Sequence, residues 1–382
     1  MILKEPSKPR ILFICNYALL YGANRSLLTI LEYLSQRNYD ILVLVPSKGS
    51  MTNELQKLGI PFKVLRFYSA FLYVKPIAKH LVLPLMYLLD IVMFPYLVYL
   101  TKKYKPDLIY SNTAAENLGI LIAKICKIKH ISHIREFMSL DHGAHFIFGN
   151  SIKKKYLQMS DGLIFVSNSV RDYVMKNETI KDNQAVIYNG IKESGLKFIE
   201  KPLPTLIRFG IVGVLQESKG HHICIEYFNR ISEFYPNASL GIYGKGYESY
   251  EQQLKGLIKE FQLENKVTLH GFVEQADSIY SEIDILLMFS RFEGFGRVTI
   301  EAMSRGIPVI GFNTGGTTEL IDNTNNGFLF NDFNSFKEGL DMLLSSEEYF
   351  NTIRRNATLT ASSKYSSKIY TQSVENFILK IV

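Results

Sequence analysis

Short apolar or β-branched runs recur along the first half of the chain, separated by longer stretches whose apolar residues fall three or four apart. RILFIC (10–15), DILVLV (40–45), FKVLRF (62–67), DLIYSN (107–112), HISHI (130–134) and GLIFVS (162–167) have the length and residue types of buried strands. Between most of them, stretches such as 25–37, 114–127 and 151–160 have a helical period. Strand and helix in alternation predict a parallel sheet with helices on both faces. A second series opens at IRFGIVG (207–213) and continues through SLGIYG (239–244), KVTLH (266–270), DILLMF (284–289) and IPVIGF (307–312). Between the two series, residues 186–205 lose periodicity and carry two prolines, as a linker does. A last helical stretch covers about 347–380.

The pattern predicts an α/β chain of two Rossmann-like, doubly wound domains, 1–195 and 206–360, with 361–382 a helix able to pack back on the first. A length of 382 residues suits two domains. Two such sheets would face across a cleft, and ligands of open α/β sheets bind at the carboxyl ends of the strands. Chemistry is therefore expected on the strand-to-helix loops.

Composition narrows the function. Cys15, Cys126 and Cys224 stand far apart, with no metal or disulfide spacing, which predicts a reducing, cytoplasmic setting. The opening MILKEPSKPR has no secretory character. Residues 1–199 carry 26 basic against 14 acidic side chains, whereas 200–382 carry 17 against 22. That asymmetry gives the first half an affinity for something anionic. No nucleic-acid-binding motif accompanies it, so a membrane leaflet or a phosphorylated acceptor suits it better than nucleic acid.

The candidate chemistry concentrates in SRFEGFGRVTIEAMSRGIPVIGFNTGGTTEL (290–320). Glu293 follows an apolar strand, Gly294 and Gly296 bracket Phe295, a helix is predicted from near Arg297, and Glu301 lies eight residues after Glu293. Glycines at a helix start let backbone N–H groups approach an anion. Paired carboxylates beside them accept hydrogen bonds from a vicinal diol. The chain lacks D-x-D and any His/Asp cluster with metal spacing, so a metal clamp is not expected. It also lacks G-x-G-x-x-G after the first strand and a G-x-S-x-G elbow, which speaks against a dehydrogenase and a serine hydrolase.

This stretch resembles the E-x7-E donor motif of the retaining GT-B glycosyltransferases of family 4, the group 1 glycosyltransferases. LYGANRSLLTILEYL (20–34), VSNSVRDY (166–173), VIYNGI (186–191), GIVGVLQESKGHHICIEYF (210–228) and IYGKG (242–246) resemble the family's other landmarks, in the family's order. The resemblance implies that Glu301 binds the donor ribose and that Glu293 contacts the sugar. It implies that Gly294, Phe295 and Gly296 offer backbone to sugar and diphosphate, and that Lys219 neutralises the departing diphosphate. Thr317, opening a helix in GGTTEL, offers phosphate its hydroxyl or N–H, or serves as a plain N-cap. Gly22 and Ala23 would let the first domain's backbone meet the donor, and Gly213, at the strand end ahead of Lys219, is a further donor-binding candidate.

Two departures stand out. Where the family places an arginine after Gly213 this chain has Val214, leaving Arg297 or Arg25 as substitute cations. Where the family carries a histidine followed by an acidic residue, this chain has Arg135 and Glu136, with His133 two residues earlier. His133 and Arg135 are accordingly catalytic candidates alongside Glu293 and Lys219.

Residues 81–100 are nearly all apolar, broken by Pro84, Asp90 and Pro95 and flanked by Lys75, Lys79, Lys102, Lys103 and Lys105. They form a membrane-contacting surface element, a buried crossover or a span. Together these features predict a metal-independent, retaining hexosyltransferase with a nucleotide-diphosphate sugar donor, expected to be UDP-linked. Its acceptor would be a glycan or a lipid-linked molecule, met by a peripheral protein at the anionic inner face of the cell membrane. A nucleotide-sugar-binding protein without catalysis, and a GT-B epimerase or phosphorylase, are the alternatives.

Overall fold

A computed structural model describes residues 8–67, 71–73, 78–115, 118–141, 144–146, 150–176, 178–192 and 198–382. The chain forms two compact units, one of residues 1–190 with 367–382, the other of 191–366. Both are parallel α/β structures.

The first unit's strands are β1 (Ile11–Ile14), β2 (Ile41–Val45), β3 (Phe62–Val64), β4 (Phe71–Tyr73), β5 (Leu108–Ser111), β6 (Lys129–Ile134), β7 (Ala144–Phe146), β8 (Gly162–Phe165) and β9 (Gln184–Val186). Among the described residues, seven form one parallel sheet in the order β3-β2-β1-β5-β6-β8-β9, while β4 and β7 make an antiparallel ribbon. β1, β2, β5 and β8 are buried on both faces, which is why they read as unbroken apolar runs. The three-residue strands β4, β7 and β9 are too short to leave such a run. Helices α1 (Gly22–Ser35), α2 (Ser50–Lys57), α3 (Ala78–Tyr104), α4 (Leu118–Cys126), α5 (Asn150–Leu157) and α6 (Asn168–Met175) alternate with the strands.

α3 contains the apolar stretch 81–100. Its side formed by Leu97, Leu100 and Thr101 is buried, with half-buried Phe94 and Tyr104, against Leu12, Ile14, Leu42 and Leu44 of the sheet. Among the described residues no helix is long and apolar enough to cross a membrane. Lys75 lies outside the described residues.

The second unit holds β10 (Ile207–Val212), β11 (Ala238–Tyr243), β12 (Val267–Gly271), β13 (Ile285–Met288), β14 (Val309–Phe312) and β15 (Phe328–Phe330), parallel in the order β12-β11-β10-β13-β14-β15. Its helices are α7 (His221–Phe234), α8 (Glu248–Glu260), α9 (Ala276–Tyr280), α10 (Arg297–Met303), α11 (Thr317–Leu320), α12 (Phe333–Leu343) and α13 (Glu347–Lys364). The helical stretch 347–380 is broken at Tyr365 and Ser366, and α14 (Ser367–Ile381) belongs to the first unit. Tyr370, Val374, Phe377 and Ile378 recur every three or four residues along α14 and enter the first unit's core. Glu375 accepts hydrogen bonds from Tyr33 (2.7 Å) and Tyr39 (2.8 Å), fixing the helix against α1 and its following turn.

Candidate active site

In the second unit, β10 and β13 are neighbours, so the loops leaving their carboxyl ends lie side by side. The first of these loops ends in a short 3-10 turn, Glu217–Lys219, and then Gly220. Gly220 has a φ of +73°, and a Cβ there would stand 2.3 Å from the Phe289 carbonyl oxygen. Only glycine lets the turn press so closely on the strand end. Ser290 Oγ adds a hydrogen bond to Ser218 O at 3.3 Å. This packing brings Lys219 Nζ to 2.7 Å from Glu293 Oε2, an ion pair with both partners partly buried.

The loop after β13 carries Glu293 and ends at Gly296, whose left-handed backbone (φ +99°) caps α10. Arg297 opens the helix, and Glu301 lies one turn further on. Arg297 Nη2 donates to Glu301 Oε1 and Tyr280 Oη to Glu301 Oε2, both at 3.1 Å. Burial, then the Glu301 charge, holds the Tyr280 hydroxyl well above the ordinary phenol range, so it remains a donor. Tyr280 lies 21 residues before Glu301, and no spacing signal links them.

A third loop closes over the second. The Gly316 N–H donates to the Glu293 carbonyl at 2.7 Å. Gly316 caps α11 and Thr317 is its first residue, so Thr317 is not the N-cap. The Thr317 hydroxyl is buried and makes no hydrogen bond among the described residues; the Thr299 hydroxyl on α10 is in the same position. Gly294 and Phe295 are buried, with the Phe295 ring edge-on to Tyr365 at 5.9 Å.

Val214 is exposed after Gly213. Neither predicted substitute stands free: Arg297 holds Glu301, and Arg25 Nε donates to Leu20 O at 2.9 Å. The Leu215 N–H donates to Lys245 O at 3.2 Å, setting the exposed Lys245 alongside the Val214 loop. Lys245 lies inside IYGKG, where nothing in the sequence alone marks it as a partner of the Val214 loop.

In the first unit, Gly22 opens α1, exposed, behind an N-cap residue (Tyr21) that makes no side-chain capping bond. Ala23 O accepts from Asn112 Nδ2 at 3.3 Å, and buried Asn24 holds the preceding loop through Tyr17 O and Leu19 O, both at 2.8 Å.

His133 and Arg135, the first unit's catalytic candidates, are both buried. His133 is fully buried in the sheet with Nδ1 2.6 Å from the Tyr110 hydroxyl, and burial, helped by Arg135, keeps its pKa well below the usual imidazole value. The buried Arg135 donates to Asn112 O and Oδ1 (3.0 Å each), Asn189 Oδ1 (2.7 Å) and Tyr370 Oη (3.0 Å). Its guanidinium is a brace between strand ends and α14. Next to it, desolvation and then Asp141 push half-buried Glu136 up to about 8, and desolvation pulls buried Lys153 down to about 8. Asn112 and Asn189 were missed as supports, although each stands just past a strand. Among the described residues no group of three or more His, Cys, Asp or Glu side chains could hold a metal ion.

Residues 21–194 match the description Glycosyltransferase Family 4, and residues 197–360 match Glycosyl transferases group 1. An uncharacterized glycosyltransferase of Methanocaldococcus jannaschii is 30% identical over 261 residues, 65% of this chain and 69% of the relative. The chain belongs to the group 1, family 4 glycosyltransferases. CapM, a capsular polysaccharide biosynthesis glycosyltransferase of Staphylococcus aureus, is 25% identical to this family 4 chain over 230 residues, 56% of it and 60% of CapM. The chain spans only 40% of a Haemophilus influenzae relative, so about half the length of such proteins is shared. The crystal structure of Anabaena HepE with UDP-glucose superposes with a TM-score of 0.80 at 22% identity, covering 97% of the family 4 chain and all of HepE. The chain thus has the GT-B fold.

Proposed function

We propose that the protein transfers a hexose-type sugar from a UDP-linked donor to a glycan or lipid-linked acceptor, with retention of anomeric configuration and without a metal. The observation that carries this is the joint placement of Lys219 on Glu293 and of Arg297 and Tyr280 on Glu301, at the carboxyl ends of β10 and β13. In the proposed reaction the bond between the sugar's anomeric carbon and the β-phosphate oxygen breaks, and the acceptor oxygen bonds to that carbon from the same face. The acceptor's proton passes to the departing β-phosphate oxygen, and UDP leaves with the electron pair of the broken bond. Glu301 holds the ribose hydroxyls, and Glu293 receives sugar hydroxyls. Lys219 and Lys245 supply fixed positive charge to the diphosphate, which a Mg²⁺ ion would otherwise provide. The UDP-glucose complex of HepE supports the donor class, and the name of CapM supports a role in cell-envelope polysaccharide or glycolipid synthesis. The proposed place of action is the cytoplasmic face of the cell membrane.

The exposed Val214 in place of an arginine favours one second reading, a nucleotide-sugar-binding protein without turnover. Incubating the protein with labelled UDP-sugars and a lipid-linked glycan extract separates them. Label in the glycan fraction with release of UDP supports transfer. Tight binding without UDP release supports the second reading and overturns the first.

A further inference from the structure

Over its described side chains helix α3 has two apolar sides, in keeping with the lack of a polar stripe in the sequence. One packs on the first unit's sheet, as described. The other carries Leu88, Ile91, Val92, Tyr96 and Tyr99, between 44% and 68% exposed. At a helical period these five fall within an arc of about 140°. Lys102 and Lys103, both exposed, continue the same arc in the next turn. α4 lies beside α3, close enough for Lys102 to act on the Cys126 thiol. It adds exposed Leu121 and Ile125, with exposed Lys124 between them. Single exposed apolar residues are ordinary, but seven of them on two helices in contact mark a binding surface.

The order of residue types along α3 identifies the partner. Aliphatic side chains come first, then two tyrosines, then two lysines. An acyl layer, a headgroup zone and a plane of lipid phosphates present the same succession over a similar depth. The run from Leu88 to Lys103 spans about 22 Å. A second copy of this chain fits less well: a twofold contact through this face buries the surface but sets lysine clusters against it with no acidic counterpart among the patch's described residues. We propose that the outer face of α3 and α4 docks the first unit obliquely on an anionic lipid surface. Leu88, Ile91 and Val92 enter the acyl layer, Tyr96 and Tyr99 lie among headgroups, and Lys102, Lys103 and Lys124 meet lipid phosphates. The proposal extends the membrane placement given above, yet its test does not depend on sugar transfer.

The test is flotation of the full chain with vesicles of phosphatidylcholine alone or mixed equally with phosphatidylglycerol, at low and high salt. Wild type is expected to float with the anionic vesicles and to keep a residual fraction at high salt. Ile91→Glu or Val92→Glu is expected to lower partition at least about tenfold at both salts. Lys102→Glu is expected to lower it about fivefold or more at low salt only, since such attractions decay within a Debye length. Because these side chains are exposed, circular dichroism and thermal unfolding of the variants should match wild type. The chain has no tryptophan, so Tyr96→Trp creates a single reporter whose emission should shift to the blue on anionic vesicles. Failure of wild type to float at low salt overturns the proposal. So does a self-associating wild type that Ile91→Glu makes monomeric without changing flotation. Calorimetry with UDP on the same samples tests the transfer reading separately, because lipid binding does not require the donor site.

Discussion

Replacing Lys219 by alanine tests how the proposed donor site handles charge. The ammonium is engaged by a side chain of its own unit, 2.7 Å from Glu293 Oε2, so a diphosphate must compete with that carboxylate. A hydrogen bond from an ammonium to phosphate contributes about 1.5–3 kcal/mol. Loosening a partly exposed ion pair costs about 1 kcal/mol. The net contribution of Lys219 to UDP binding is then about 0.5–2 kcal/mol, or about 2- to 30-fold in Kd. Isothermal calorimetry with UDP and with uridine isolates it, because uridine has no diphosphate. Lys219→Ala should weaken UDP by that factor and leave uridine unchanged. Glu293→Gln removes the competitor and should tighten UDP by up to about fivefold, while weakening the intact UDP-sugar. Equal losses for UDP and uridine would place Lys219 away from the diphosphate. A Glu293→Gln variant that binds UDP no more tightly than wild type would refute the competition.

Glu301→Ala should show the opposite selectivity, weakening UDP and uridine alike by about 10- to 150-fold. It should also lower Tm, because the buried Tyr280 hydroxyl keeps, among the described residues, only the Val298 carbonyl at 3.3 Å; undiminished uridine affinity would remove Glu301 from the ribose. Transfer should survive EDTA, and a loss that Mg²⁺ or Mn²⁺ restores would reveal a metal site. Gly220→Ala should destabilise the second unit by more than about 2 kcal/mol in denaturant unfolding, since φ is +73° and the new Cβ meets Phe289 O at 2.3 Å; a neutral result would contradict the left-handed turn. Burial holds His130 and His221 down to about 3, against 6.5 in the unfolded chain. Protons therefore bind the unfolded chain more tightly, and this stability is complete above about pH 6.5 and lost as pH falls toward 3. Each imidazole should take about 1.4 kcal/mol per pH unit in that window, and urea titrations at pH 7 and pH 5 that agree would refute it.

Much of this was legible because parallel strands buried on both faces must be apolar throughout, so β1, β2 and β13 announce themselves. The loop after β13 was legible because Gly296 and the two glutamates bracket a helix start, and the structure begins α10 at Arg297. Strand alternation does not tell where a polar side chain ends up when both faces are covered. His133 and Arg135 therefore looked available for chemistry, yet one is packed in the sheet and the other braces it. The partnership of Tyr280 with Glu301 depends on how α9 and α10 pack, which no local spacing records. The break at Tyr365 and Ser366 escaped notice because α13 and α14 share a helical period although they belong to different units.

That break bears on how the molecule is made. The second unit is one uninterrupted segment, 191–366, whereas the first needs residues 367–382 to complete itself. On the ribosome, the part synthesised first must wait, its core lacking Tyr370, Val374, Phe377 and Ile378, until the intervening unit has emerged. Arg135 and Glu375 make the delay more costly. Until α14 arrives, a buried guanidinium lacks the Tyr370 hydroxyl, and Tyr33 and Tyr39 lack their carboxylate. The nascent first unit is thus exposed to chaperones and proteases for the time it takes to translate the other half of the protein.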